Sequence, residues 1–452
     1  MLRNVSISML FFCASAAIAE APFPSTYEPI SAGPTLLRNA TILTGDGQRL
    51  DAADLLLADG AIQWVGSGEV PAGTEEIDAS GRWVTPGLID VHSHLGVYPS
   101  PGVDAHSDGN ELTSPATPNI WAEHSVWPQD PGFARALAGG VTTLQVLPGS
   151  GNLFGGRGVT LKNVYSTSYQ GMKFPGAPHG LKMACGENPK RVYGQRNQAP
   201  STRMGNVAQY RAEWIAAQDY MAQWERYRIK ADNGDEDAVA PVRDLKLETL
   251  AGVLRGEIIV HMHCYRADEM MTILALAEEF DYRIGTFHHA VEAYKIADEL
   301  AENQVCGALW ADWWGFKMEA YDGIQENIAL VDRPENSCAI VHSDSPEGIQ
   351  RLNQEAAKAM GKGNRAGLDI TPEHAIGWIT GNAARSLGID AVTGTLAPGK
   401  MADVVVWSGN PFSVYSKADL VFVDGALRYD RADPALQPVS DFELGQLPEV
   451  AR

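Results

Sequence analysis

The chain has 452 residues, more than a single domain usually holds, so one large domain with a smaller companion is the starting expectation. Hydrophobic residues make up 45% and charged residues 20%, an ordinary globular composition with ample core material. With 56 acidic against 35 basic side chains the formal net charge is −21, a surface that repels nucleic acid and anionic membranes, so neither is expected as a partner.

The chain opens like an export signal. Arg3 supplies a positive start, 7–19 is apolar and small, and Ala17-Ile18-Ala19 offers a small-x-small cleavage site before Glu20. The stretch is too short to span a bilayer well, and the bulky Phe12 before Cys13 is wrong for a lipoprotein. Residues 1–19 are therefore expected to be removed, leaving a secreted or periplasmic protein with no membrane insertion. Over 20–86, short strand runs at 40–43, 54–57 and 62–65 are separated by turns at Gly45-Asp46-Gly47 and Asp59-Gly60. A matching pattern returns within 391–452, at 402–407 and 420–425, so both ends are expected to build one small β-sandwich.

The middle, 87–390, alternates strand and helix signals, which predicts a parallel α/β sheet. Strands are expected at 87–94, 141–147, 181–184, 258–263, 283–288, 305–310 and 338–343, and helices at 207–230, 267–280, 294–303 and 346–360. Another helix is expected from Thr371, capped by it and with Pro372 in its first turn. Long irregular stretches at 97–133 and 186–205 follow strand ends and are expected to roof a site. Asp232 to Asp237 reads as a solvated acidic turn. Cys185, Cys264, Cys306 and Cys338 are far apart without a CxxC pair, so buried free thiols are expected, with one disulfide the alternative.

Histidines gather at the strand ends. In Asp90-Val91-His92-Ser93-His94 the two imidazoles are two residues apart and face the same side of a strand. Val260-His261-Met262-His263 repeats the pattern, Phe287-His288-His289 adds a doublet, and Val341-His342-Ser343-Asp344 closes the series with a carboxylate. With His179, eight of the eleven histidines sit at or beside expected strand ends. Any one of them alone would read as a core imidazole; together they read as a metal site.

This order resembles the amidohydrolase superfamily, in its branch related to imidazolonepropionase and dipeptidases. The phrases Val84-Thr85-Pro86-Gly87-Leu88-Ile89-Asp90-Val91-His92 and Leu396-Ala397-Pro398-Gly399-Lys400-Met401-Ala402-Asp403 carry the likeness. The resemblance implies a (β/α)8 TIM barrel holding one or two divalent metals, commonly zinc. Carried onto this chain, His92, His94 and Asp344 would bind the deeper metal, and His263 and His289 the second, with His261 and His288 behind them. A bridging ligand would be either Lys182, carbamylated, or Glu187, which is preferred because it needs no modification. His342 would orient the substrate or the aspartate.

The implied activity is hydrolysis of an amide or peptide-like C–N bond in a small molecule: a dipeptide, an N-acyl amino acid or a cyclic amide. Metal-activated water would attack, and Asp344 would serve as base. Arg266 stands where nucleobase deaminases of the family carry a glutamate, and would suit a substrate carboxylate. The alternatives are a deaminase of the same superfamily and a non-catalytic periplasmic binding protein on a degenerate barrel. Trp310-Ala311-Asp312-Trp313-Trp314 could line a substrate pocket, and a homo-oligomer is compatible with the sequence.

Overall fold

Residues 22–437 are described by a computed structural model of the protein, so the expected export signal lies outside the described residues. β1 (Thr35–Leu43) pairs antiparallel with β2 (Arg49–Ala58), which turns into β3 (Ala61–Gly66) through Asp59-Gly60. Both turn residues have positive φ, as a two-residue hairpin requires. β4 (Glu75–Asp78) and β5 (Trp83–Pro86) run parallel to different stretches of β1.

The barrel follows, as β6 (Leu88–Ser93), β7 (Val141–Val146), β8 (Phe154–Lys162), β9 (Gly180–Ala184), β10 (Ile259–Cys264), β11 (Ile284–His289), β12 (Cys306–Leu309) and β13 (Ala339–Val341). They hydrogen-bond in chain order. The ring is nearly closed by the segment after β13, where Ser343 N donates to Asp90 Oδ1 (3.2 Å) and Asp344 N to the His92 carbonyl (3.1 Å). The strands are buried on both faces, which explains their near-continuous apolar runs.

The eighth strand, which the sequence reading lacks, is β8, and it runs antiparallel to both neighbours, so the sheet is not wholly parallel. The link 147–153 is too short for a parallel crossover, which needs about a dozen residues, and the strand's Gly-Gly-Arg-Gly run obscures its β pattern.

β14 (Val404–Trp407), β15 (Ala418–Val423) and β16 (Ala426–Asp430) return to pair β14 with β5. The strands from both chain ends thus form one mixed sheet rather than two separate facing ones. Leu37, Leu55 and Val84 share an apolar core with Val404, Val406 and Phe422. Beneath it, buried Lys162 at the end of β8 bonds Asp403 (2.9 and 3.0 Å) and Asp424 (2.8 Å), tying barrel to sheet.

The helix expected at 267–280 is found there, whereas 207–230 extends to Arg203–Asp232, with Thr202 accepting from Gly205 N. The stretch 186–205 is therefore partly helical, including Glu187–Gly194. Thr371 caps nothing with its side chain, and the helix it precedes is the short Pro372–Ala375. The expectation of free thiols is overturned: Cys185–Cys264 and Cys306–Cys338 are disulfides. Each joins neighbouring parallel strands, a closeness that sequence separations of 79 and 32 conceal.

Candidate metal centre

Strand alternation delivers His92 and His94 to one side of β6, and both imidazoles meet Asp344. His94 Nε2 lies 3.2 Å and His92 Nε2 3.5 Å from Asp344 Oδ1. The Leu147 carbonyl holds His94 Nδ1 at 2.8 Å, leaving Nε2 to face the site. Asp344 itself has φ 50. Such a conformation is costly for a non-glycine residue and persists where the surroundings enforce it, often at reactive centres.

The doublet on β11 shows the same device. Alternation alone would send adjacent residues to opposite faces, but His289 has φ 70, and both rings reach His92. Ring centroids are 4.8 Å from His92 for His288 and 4.7 Å for His289. His263 packs 4.7 Å from His289, and His342 stacks on His92 at 5.2 Å. His263 Nδ1, His289 Nδ1 and both nitrogens of His342 are buried without a hydrogen-bond partner among the described residues. Buried polar atoms seldom stay unanswered, so these nitrogens point to a missing ligand.

Two overlapping groups have donor atoms within 4.8 Å of one another: His92, His94 and Asp344, and His92, His289 and His342. His342, read from sequence as a substrate contact, thus stands among the possible donors. His261 and His288 lie behind the site, and His179 is at the opposite end of its strand, paired with Glu123 at 3.1 Å.

Lys182 and Glu187 part company. The Lys182 ammonium is fully buried, with Nζ 3.2 Å from His92 Nε2. Burial pushes its pKa down to about 7 against the pull of Asp344. Glu187 instead begins a helix, pairs with Lys317 at 3.2 Å and donates its backbone N–H to Glu319. The preceding Gly186 has φ 79, and a Cβ there would sit 2.5 Å from Glu319 Oε1, so glycine is required at this turn. The fold therefore brings Lys182, and not Glu187, to the imidazoles. Arg266 also points elsewhere, gripping Asp268 through two 2.9 Å bonds at the surface.

The charge states suit a cation. Burial drives His92, His263 and His289 well below the ordinary imidazole value and His342 to about 3, so the rings are neutral. Burial would raise Asp344, yet the His94 hydrogen bond and neighbouring charges outweigh it and keep the carboxylate ionised. Neutral nitrogens around one carboxylate, several of them unpartnered, fit a divalent ion such as zinc.

An aromatic wall rises beside these donors. Trp310 stacks on His289 at 4.3 Å, Phe316 lies 5.9 Å from Trp310, and Tyr265 is 5.6 Å from His289. Lys317 Nζ sits 4.1 Å over the Tyr265 ring. Of these, only Trp310 stands in a stretch that the sequence marks; Tyr265, one residue beyond a disulfide cysteine, and Lys317, in a loop, carry no motif.

The model of the Amidohydrolase family matches residues 325–430. The fold is similar to that of an amidohydrolase from Thermotoga maritima MSB8, with a TM-score of 0.80 and 35% identity over 88% of this chain and 100% of that one. The sequence is 32% identical to amidohydrolase tasK of Hapsidospora irregularis over 89% of this chain but 44% of that protein, so the chain spans less than half of that relative's length. A shorter match, 50% identical over 60 residues, covers 13% of this chain and 12% of a D-hydantoinase from Rhizobium radiobacter.

Proposed function

Since the chain belongs to the amidohydrolase family, we propose that it hydrolyses an amide-type C–N bond in a small molecule, using a divalent metal, zinc by preference, held by His92, His94, His263, His289, His342 and Asp344. The observation that carries this reading is the meeting of His92, His94 and Asp344, 252 residues apart at its widest (92 to 344), around unpartnered imidazole nitrogens.

Bound there, a divalent ion would lower the pKa of a water toward neutrality and polarise the scissile carbonyl. Asp344, ionised and facing that position, takes the proton from the attacking water and returns it to the departing nitrogen. Lys182, an amine brought near neutrality by burial, is suited to add to carbon dioxide, losing a proton and gaining a carbamate oxygen to present to the site. Trp310 and Tyr265 offer an apolar surface on one side of the site. These features favour an N-acyl amino acid or dipeptide with a large apolar side chain over a small cyclic amide. The two buried disulfides support an oxidising, exported location.

The test is metal analysis of the purified protein, followed by turnover of N-acyl amino acids, dipeptides and cyclic amides with zinc or manganese supplied. Release of the free amino acid is expected. Ammonia released from aromatic amines would favour the deaminase instead. Failure to bind metal or to gain activity from it would favour the binding protein.

A further inference from the structure

Behind the metal site three contacts lead away from His92 into the barrel. His92 Nδ1 is 2.9 Å from His288 Nδ1, His288 Nε2 is 3.0 Å from His261 Nδ1, and His261 Nε2 is 3.2 Å from the Gln145 side-chain nitrogen. All four residues are buried. A neutral imidazole has one donor and one acceptor, so the direction of any one of these bonds dictates the others.

Only two directions exist. If Gln145 Nε2 donates, the protons sit on His261 Nδ1 and His288 Nδ1, and His92 is left protonated on Nε2, the nitrogen that faces Asp344. If His92 Nδ1 donates, His288 and His261 are protonated on Nε2, His92 Nε2 carries a free lone pair, and the chain must end on an acceptor. Gln145 has that acceptor: Oε1 is buried and has no partner among the described residues, and a half-turn of the amide sets it opposite His261. Gly180 makes room for the arrangement, since a Cβ there would lie 2.7 Å from His261 Cδ2 and 2.9 Å from Gln145 Nε2.

We propose that Gln145, His261 and His288 form a one-way hydrogen-bonded chain that orients His92 and keeps its Nε2 open for the metal. The inference rests on the metal site argued above. The three are positioning residues, and because an amide cannot pass on a net proton, the chain polarises and orients His92 without carrying protons to it. Glutamine suits the end of such a chain because it can serve either direction, which lets the protein exist with or without the ion.

The experiment measures zinc affinity by competition with a chromophoric chelator. Removing a partner behind a metal-bound imidazole commonly weakens binding by about 10- to 100-fold, and Gln145→Leu is expected to fall in that range. Gln145→Glu, an acceptor, is expected to restore affinity, while Gly180→Ala, which presses on both His261 and Gln145, weakens it. Nitrogen-15 imidazole spectra of the zinc-loaded unaltered protein should show His261 and His288 protonated on Nε2, a readout that holds even if a variant fails to fold. Zinc bound as tightly by Gln145→Leu as by the unaltered chain, or His288 protonated on Nδ1 in the loaded protein, overturns the chain while leaving the metal reading intact. No zinc binding by the unaltered protein would overturn both.

Discussion

Two buried polar clusters lie at opposite ends of the barrel and follow opposite rules. At the junction with the small sheet, every oxygen of Asp403 and Asp424 is answered: by Lys162, by the Asp424 N–H, by Thr393 and by the Tyr27 hydroxyl. At the mouth, His263, His289 and His342 keep nitrogens without hydrogen-bond partners among the described residues. The first cluster spends its hydrogen bonds on holding two units together; the second withholds them for a ligand. Burial does not distinguish these two clusters, but the state of their hydrogen bonds does.

The largest effect is expected at Asp344. Asp344→Asn should fold as the unaltered chain does yet lose turnover by about 10²- to 10⁴-fold, the usual worth of a general base. Steady-state kinetics beside a melting curve checks this, and substantial retained activity would remove Asp344 from the base role. Lys162→Met should do the reverse, stranding two buried carboxylates at a cost of about 3–5 kcal/mol while leaving zinc affinity unchanged. Denaturant unfolding and a chelator competition measure the two effects separately; a parallel loss of zinc binding would show that the clusters are not independent.

Reduction of the disulfides is a smaller lever, on the order of 2–4 kcal/mol for each, read from melting with and without reductant. Losing Cys185–Cys264, beside His263, should also weaken zinc binding, whereas losing Cys306–Cys338 should not.

The smallest effect is at His374, whose pKa the Asp332 hydrogen bond raises despite partial burial. Because the folded value is the higher one, this pair stabilises fully below the ordinary imidazole pKa of about 6.5 and is lost as pH rises through the raised value. The imidazole is about half exposed, so the change in melting temperature should be shallow, and Asp332→Asn should abolish it.

Much of the site was legible from strand periodicity. His92, His94, His261 and His263 announce themselves because a spacing of two on a strand is a statement about direction in space. His288 and His289 were harder, since choosing between neighbours depends on a φ of 70 at His289 that no residue type reveals. The choice between Lys182 and Glu187 turned on where the chain bends: Gly186 swings Glu187 toward Lys317, and only Lys182 remains on the strand that faces inward. β8 was invisible because glycines break its pattern, and its antiparallel course follows from the short link before it.

The amino-acid order alone determined that strands alternate with helices in the middle, that both ends contribute β structure, and that imidazoles cluster at strand ends, because these depend on spacings of two to four residues along the chain. Tertiary structure alone decided the disulfides, the Lys162 junction and the chain from His92 to Gln145, because each joins residues far apart in sequence whose side chains carry no local sign of their partners. A covalent or hydrogen-bonded contact is a fact about distance in space, and only the closing of the barrel sets that distance.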